Sequence, residues 1–135
     1  MIRQTAFLPR YGWRIEFFID FTCEHAEKVL DAIEQIGGDD YYLFKAASNL
    51  NSCEKNSGFT YSSPDYRTSV AVVYRTDNFK EFINTLSHEC AHICAHVTKS
   101  FLIKLNEEEF CEMVGDLMAE TSEAILRVSR QFIKG

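Results

Sequence analysis

The sequence lacks long apolar runs, an excess of basic residues and CxxC cysteine pairs. No apolar stretch reaches the roughly 20 residues of a membrane-spanning helix, and the opening segment MIRQTAFLPRYGWR has no apolar core followed by a small-residue cleavage site. The formal net charge is −6 and no basic run is present, which argues against a protein that binds nucleic acid through its phosphates. These absences predict a chain that neither spans a membrane nor binds nucleic acid, and that carries no secretory signal.

The cysteines show no spacing typical of a disulfide framework or of a cysteine-rich zinc site. Their number is odd, and no CxxC pair occurs. Reduced thiols are the simplest interpretation, and they predict a cytoplasmic protein. The five cysteines are Cys23, Cys53, Cys90, Cys94 and Cys111.

The composition is that of one globular domain covering residues 1–135. Hydrophobic residues make up 46% of the chain and aromatic residues 13%, which is enough for a core. The order of apolar patterns and turn formers is strand, helix, hairpin and two further helices, which predicts an α+β fold. In the first half of the chain, the expected elements are a strand at Trp13–Phe21, helices at about 24–36 and 40–47, and a loop at 48–57. A hairpin follows, in which GFTYSS and Thr68–Tyr74 are the two strands and Pro64-Asp65 is the turn. Two helices complete the chain, one at Phe79–Ser100 capped by Thr76 or Asp77 and one at about 106–132 capped by Asn106.

The most informative motif is an HExxH string, His88-Glu89-Cys90-Ala91-His92, inside the predicted helix Phe79–Ser100. Two histidines four residues apart on a helix lie one above the other, about 40° apart around the axis. Both imidazoles can therefore point at one zinc ion, and Glu89 is then placed to activate a water bound to that metal.

The helical pattern separates these histidines from the core. The apolar residues of the helix, with Cys90 and Cys94 among them, cluster on the side opposite His88 and His92. The two histidines are therefore not expected to fill the hydrophobic face. The two cysteines are expected to be core residues, which disfavours a cysteine-nucleophile mechanism.

A catalytic zinc needs a third protein ligand beside the two histidines. His96 lies on the same helix, two turns further along and about 80° from His88 in direction, which favours a capping or supporting role. The other source is a glutamate on the following helix, where Glu108 projects from a stripe of small residues that could pack against Ala91 and Ala95. Glu108 is the preferred third ligand, with Glu112 and then Glu109 as the alternatives.

With these residues the chain resembles a minimal zincin of the gluzincin type, in which HExxH on one helix is joined by a glutamate from the next. The segment GFTYSSPDYRTSVAVVYRT followed by FINTLSHECAH is similar to small metallopeptidases carried by phages and mobile elements of gut bacteria. The resemblance spans residues 57–120 and implies a Zn²⁺-dependent metallopeptidase that acts on a peptide or protein substrate.

The same resemblance implies roles for residues around the metal. Glu89 would take a proton from the zinc-bound water and deliver it to the leaving amine. A histidine or tyrosine would stabilise the oxyanion, with Tyr61, Tyr66 and His96 as candidates. A strand edge near the metal would pair with an extended peptide. The alternative functions are a non-catalytic zinc-binding or protein-interaction module on a zincin scaffold, and an interaction protein without metal; the oligomeric state does not follow from the sequence.

Overall fold

Within residues 1–134, which the computed structural model describes, four strands form one sheet and five α-helices cover its two faces. This arrangement confirms the predicted α+β class. The strands are β1 (Ile2–Leu8), β2 (Trp13–Phe21), β3 (Gly58–Ser63) and β4 (Thr68–Tyr74), and the helices are α1 (Ala26–Gln35), α2 (Asp40–Leu50), α3 (Phe79–Ser100), α4 (Glu107–Glu120) and α5 (Ser122–Lys134).

The sheet has the order β1-β2-β4-β3 and is mixed. The central strands β2 and β4 are parallel, whereas β1 pairs with β2 and β3 pairs with β4 in antiparallel fashion. Two parallel neighbours need a long crossover, and α1, α2 and β3 lie within it. The order leaves β3 as an edge strand whose outer side pairs with no other strand of the described chain.

Helices on both faces explain why β2 does not alternate cleanly between apolar and polar residues. Phe17 packs with the cluster formed by α3, α4 and α5, and Phe18 packs with the cluster formed by α1 and α2; both are fully buried. A strand covered on both faces reads as a nearly continuous apolar run.

Helix ends follow local capping chemistry. The Asn78 side chain accepts a hydrogen bond from the Glu81 N–H and caps α3, so the expected cap at Thr76 or Asp77 is wrong. Asn106 caps α4 as predicted. The predicted final helix at 106–132 is two helices, because the chain breaks at the fully buried Thr121, whose hydroxyl donates to the Met118 carbonyl.

A disulfide corrects the prediction of reduced thiols. Cys23, just before α1, is bonded to Cys53, just after α2, with their Cα atoms 5.0 Å apart. Cysteines with no close neighbour in sequence meet here because the crossover brings both ends of the α1–α2 segment together. Disulfides persist in oxidising compartments, so the cytoplasmic location loses its supporting argument and stays a prediction.

None of the helices in residues 1–134 is long and apolar enough to cross a membrane.

Candidate functional site

The HExxH helix α3 lies against one face of β3, and alternate residues of β3 meet its polar side chains. The Thr60 hydroxyl donates to Glu89 Oε1 at 2.9 Å, and the Ser62 hydroxyl lies 2.7 Å from His96 Nδ1. Gly58, the third residue of this set, lies beside the Glu89 carboxylate. The intervening residues of β3 point to the opposite face and pack beside α1 and α2; they are Phe59 and Tyr61.

The two motif histidines converge on one point outside the sheet. Their Nε2 atoms lie 3.0 Å apart, and both side chains are exposed. Two nitrogens bound to one tetrahedral zinc at about 2.0–2.1 Å would be roughly 3.4 Å apart. His88 and His92 therefore fit two positions of such an ion with a small movement.

Glu89 is held between α3 and β3 as a buried carboxylate. It is 3% exposed, and Oε1 accepts the Thr60 hydroxyl. A Cβ added at Gly58 would lie 3.2 Å from Glu89 Oε2 and 2.4 Å from the Val72 carbonyl oxygen. A glycine at position 58 is therefore what lets the carboxylate and the strand approach each other.

A groove follows the unpaired edge of β3 past these residues. Its middle is a cleft of about 270 Å³ that contains both histidines, and it shares residues with a cleft of about 240 Å³ on one side and one of about 370 Å³ on the other. The middle cleft is lined by Gly58, Phe59, Thr60, His88, Glu89, His92 and His96.

The three candidate oxyanion residues lie in different places. His96 lines the middle cleft and is half-buried; burial, then the neighbouring His92 and Lys99, lowers the pKa of its imidazole. Tyr61 lines the adjoining cleft next to Tyr42, where burial raises the pKa of the Tyr61 phenol. Tyr66 lies in the turn between β3 and β4, is 57% exposed and does not line the cleft.

The candidate third ligands are not brought to the histidines. Among the described residues, no three His, Cys, Asp or Glu side chains form a group that could hold a metal ion. Glu109 and Glu112 line a separate groove of about 380 Å³ between α4 and the chain at 7–11, and Glu108 is exposed. The two imidazoles thus fit zinc, while the third protein ligand stays a prediction.

The expected contact between small residues of α3 and α4 is wrong. A Cβ at Gly115 would meet no described atom within 4 Å, so this part of the small-residue stripe faces open space. The buried side of α4 is instead its apolar stripe, Met113 and Leu117, which joins the cluster that includes α3. Apolar burial outweighs the close backbone approach that small residues would permit.

The cysteines of the motif helix are core residues, as predicted. Cys90 and Cys94 are fully buried, and burial raises the pKa of each thiol to about 12. Both thiols therefore stay protonated at neutral pH, which disfavours a cysteine nucleophile.

Sequence reasoning missed the residues that support the site from the sheet. Gly58, Thr60 and Ser62 contribute the contacts to α3, and Ser69 and Trp13 lie behind them. The signal was present in GFTYSS, where aromatic residues alternate with small or polar ones. Only the pairing of β3 with β4 shows which of the two faces meets the motif helix.

No family model, curated protein or solved structure matches this chain. The resemblance to zincins thus rests on the motif and its neighbouring residues.

Proposed function

We propose that this protein is a zinc-dependent metallopeptidase of zincin-like architecture, in which His88 and His92 bind Zn²⁺ and Glu89 is the general base. The observation that carries the proposal is the convergence of the two Nε2 atoms, 3.0 Å apart, in the cleft that also contains the buried Glu89 carboxylate. Structural zinc sites have no need of such a carboxylate, whereas peptide hydrolysis at zinc uses one.

In the proposed reaction the metal would activate the water, and side chains of the protein would transfer the proton and stabilise the oxyanion. Zinc would supply a Lewis acid that makes a bound water more acidic. Because Glu89 Oε1 already accepts the Thr60 hydroxyl, Oε2 is the oxygen left to hold the proton in transit to the leaving amine. His96, on the same cleft, is the proposed donor to the oxyanion, because Tyr61 points to the opposite face of β3 and Tyr66 does not line the cleft.

The unpaired edge of β3 supports a peptide or protein substrate. Backbone groups on an open strand edge can pair with an extended chain, and the groove along this edge passes the histidine pair. A substrate added beside β3 would place its backbone alongside the residues that hold Glu89 and His96.

Glu108 remains the proposed third zinc ligand, with Glu112 and Glu109 as alternatives, and the ligand would have to move toward the histidine pair when zinc binds. The decisive measurement is the zinc content of the purified protein after incubation with excess Zn²⁺ and gel filtration. We expect about one zinc per chain, lost in His92→Ala and in the variant that removes the third ligand. Glu123→Ala, which removes an acidic residue from the first turn of α5, is the matched control.

Activity is tested by digesting a diverse peptide mixture and identifying the products by mass spectrometry. Glu89→Gln should retain zinc and lose cleavage, because the amide cannot take up the proton. Cleavage that persists in Glu89→Gln and in His92→Ala would contradict the proposal.

A non-catalytic zinc-binding or interaction module is the second candidate. The absence of a third ligating side chain beside the histidines in the described residues favours the interaction module, because structural and catalytic zinc sites both use at least three protein ligands. Zinc bound in full stoichiometry without cleavage of any peptide would select this alternative.

A further inference from the structure

We propose that Trp13, Ser69 and Ser62 form a hydrogen-bond relay that holds His96 in its Nε2–H tautomer, so that the ring presents an N–H donor to the cleft. The relay joins residues from three strands to the motif helix. Trp13 Nε1 donates to Ser69 Oγ at 2.9 Å, Ser69 Oγ lies 2.7 Å from Ser62 Oγ, and Ser62 Oγ lies 2.7 Å from His96 Nδ1.

The direction of the relay is set at its buried end. The indole N–H of Trp13 can only donate, so Ser69 is an acceptor in that bond. Ser69 is fully buried, and in the described chain its hydroxyl has no other hydrogen-bond partner than Trp13 and Ser62. The Ser69 hydrogen therefore goes to Ser62, because the reverse direction would leave a buried hydroxyl hydrogen without an acceptor.

The proposed direction extends one step further, to the histidine. Ser62, which accepts from Ser69, donates its own hydrogen to His96 Nδ1, its one other side-chain hydrogen-bond partner among the described residues. An Nδ1 atom that accepts carries no hydrogen, so the neutral ring carries its hydrogen on Nε2. Within residues 1–134 no side chain or backbone group pairs with this Nε2, and His96 lines the cleft with His88 and Glu89.

The consequence for catalysis rests on the proposed function. A fixed N–H donor at the cleft is ready to stabilise negative charge on a carbonyl oxygen without reorientation at the moment of reaction. Ser62, Ser69 and Trp13 would then be positioning residues that act through His96. They make His96 a donor, whereas a ring left free would divide between its two tautomers.

The relay is tested directly by long-range ¹H–¹⁵N NMR of the histidine rings at pH 8, in metal-free protein. We expect the His96 pattern of the Nε2–H tautomer in the wild type, and a mixed or reversed pattern in Ser69→Ala and Ser62→Ala. Ser62→Thr keeps the hydroxyl and should restore the wild-type pattern. Ser87→Ala is the matched control, since Ser87 is a serine of α3 whose hydroxyl donates to the Asn84 carbonyl instead.

Three results would overturn the relay: an Nδ1–H tautomer in the wild type, a doubly protonated His96 ring at pH 8, or an unchanged pattern in folded Ser62→Ala. Ser62 is only half-buried, so its alanine variant stays informative even if Ser69→Ala fails to fold.

A kinetic measurement connects the relay to the proposed reaction. We expect kcat to fall roughly 10–100-fold in Ser62→Ala, with KM nearly unchanged and with recovery in Ser62→Thr. An inactive wild type that shows the Nε2–H tautomer would remove the peptidase and leave the relay intact. An active wild type whose Ser62→Ala variant has the same tautomer and the same kcat would remove the relay and leave the peptidase intact.

Discussion

Gly58 is the residue at which the cleft depends most directly on the absence of a side chain. In Gly58→Ala the new Cβ would lie 2.4 Å from the Val72 carbonyl oxygen, so β3 or Glu89 must shift. We expect a loss of about 1–3 kcal/mol in the free energy of unfolding, together with loss of peptide cleavage. Urea unfolding followed by circular dichroism measures the first and the peptide assay the second.

Gly115→Ala is expected to stabilise the protein, in contrast to Gly58→Ala. Position 115 lies inside α4, and within the described residues no atom would meet the new Cβ within 4 Å. Alanine favours a helix interior over glycine by about 0.8–1 kcal/mol, so this variant should gain stability and keep full activity. Equal effects of the two substitutions would contradict the geometry around Gly58.

Thr60 supports the general base through its hydroxyl. Thr60→Val has nearly the same shape but removes the hydrogen bond to Glu89 Oε1, and a hydrogen bond to a charged group is worth about 1.5–3 kcal/mol. We expect a stability loss in that range and a lower kcat. Thr60→Ser retains the hydroxyl and should stay close to the wild type in both measurements. A loss in Thr60→Ser with none in Thr60→Val would show that the methyl group, not the hydrogen bond, matters.

His96 makes the stability depend on pH. Because the fold lowers the pKa of this imidazole below 6.5, the unfolded chain takes up a proton before the folded chain does as the pH falls. Its contribution is fully present above about pH 6.5 and is lost between there and the lowered pKa of the folded state. Unfolding free energies from pH 8 to pH 5 should fall less steeply in His96→Gln than in the wild type, and parallel profiles would contradict this assignment.

At the scale of elements, the sequence predicts what is local and misses what depends on pairing. The patterns of Trp13–Phe21, Thr68–Tyr74 and Phe79–Ser100 predict β2, β4 and α3 with the observed bounds. By contrast, β1 was not predicted, because IRQTAFL mixes polar and apolar residues and is a strand through its register with β2.

The local part of the candidate site was likewise predicted from the sequence, and the part that depends on pairing was not. Helical spacing alone places His88 and His92 together, and the structure agrees. The support from β3 depends on strand order, and the position of α4 depends on which of its stripes is buried. Neither is encoded in the spacing of residues along one element, which is why Thr60 and Ser62 were missed and why the small-residue contact was wrong.

The α1–α2 segment is tied down by the disulfide, and this link is expected to stabilise the molecule. The bond closes a sequence separation of 30 residues, and constraining an unfolded chain over such a loop is worth about 2–4 kcal/mol. Cys53→Ala should lower the free energy of unfolding by that amount, and a reducing agent should do the same to the wild type while leaving Cys53→Ala unchanged. Cys111→Ala, at an exposed unpaired cysteine, is the control.

At the scale of the whole molecule, zinc binding and folding should be linked. The two imidazoles come together only in the folded chain, so zinc should stabilise the native state by about 2.7 kcal/mol at a free concentration 100-fold above its Kd. We expect Tm to rise with zinc in the wild type and in Glu89→Gln, and to stay constant in His92→Ala. A thermal-unfolding series over zinc concentration measures this without any substrate. A rise of Tm in His92→Ala equal to that of the wild type would place the metal elsewhere on the chain, whereas a rise confined to chains with both histidines would establish zinc binding at the HExxH helix independently of the reaction it performs.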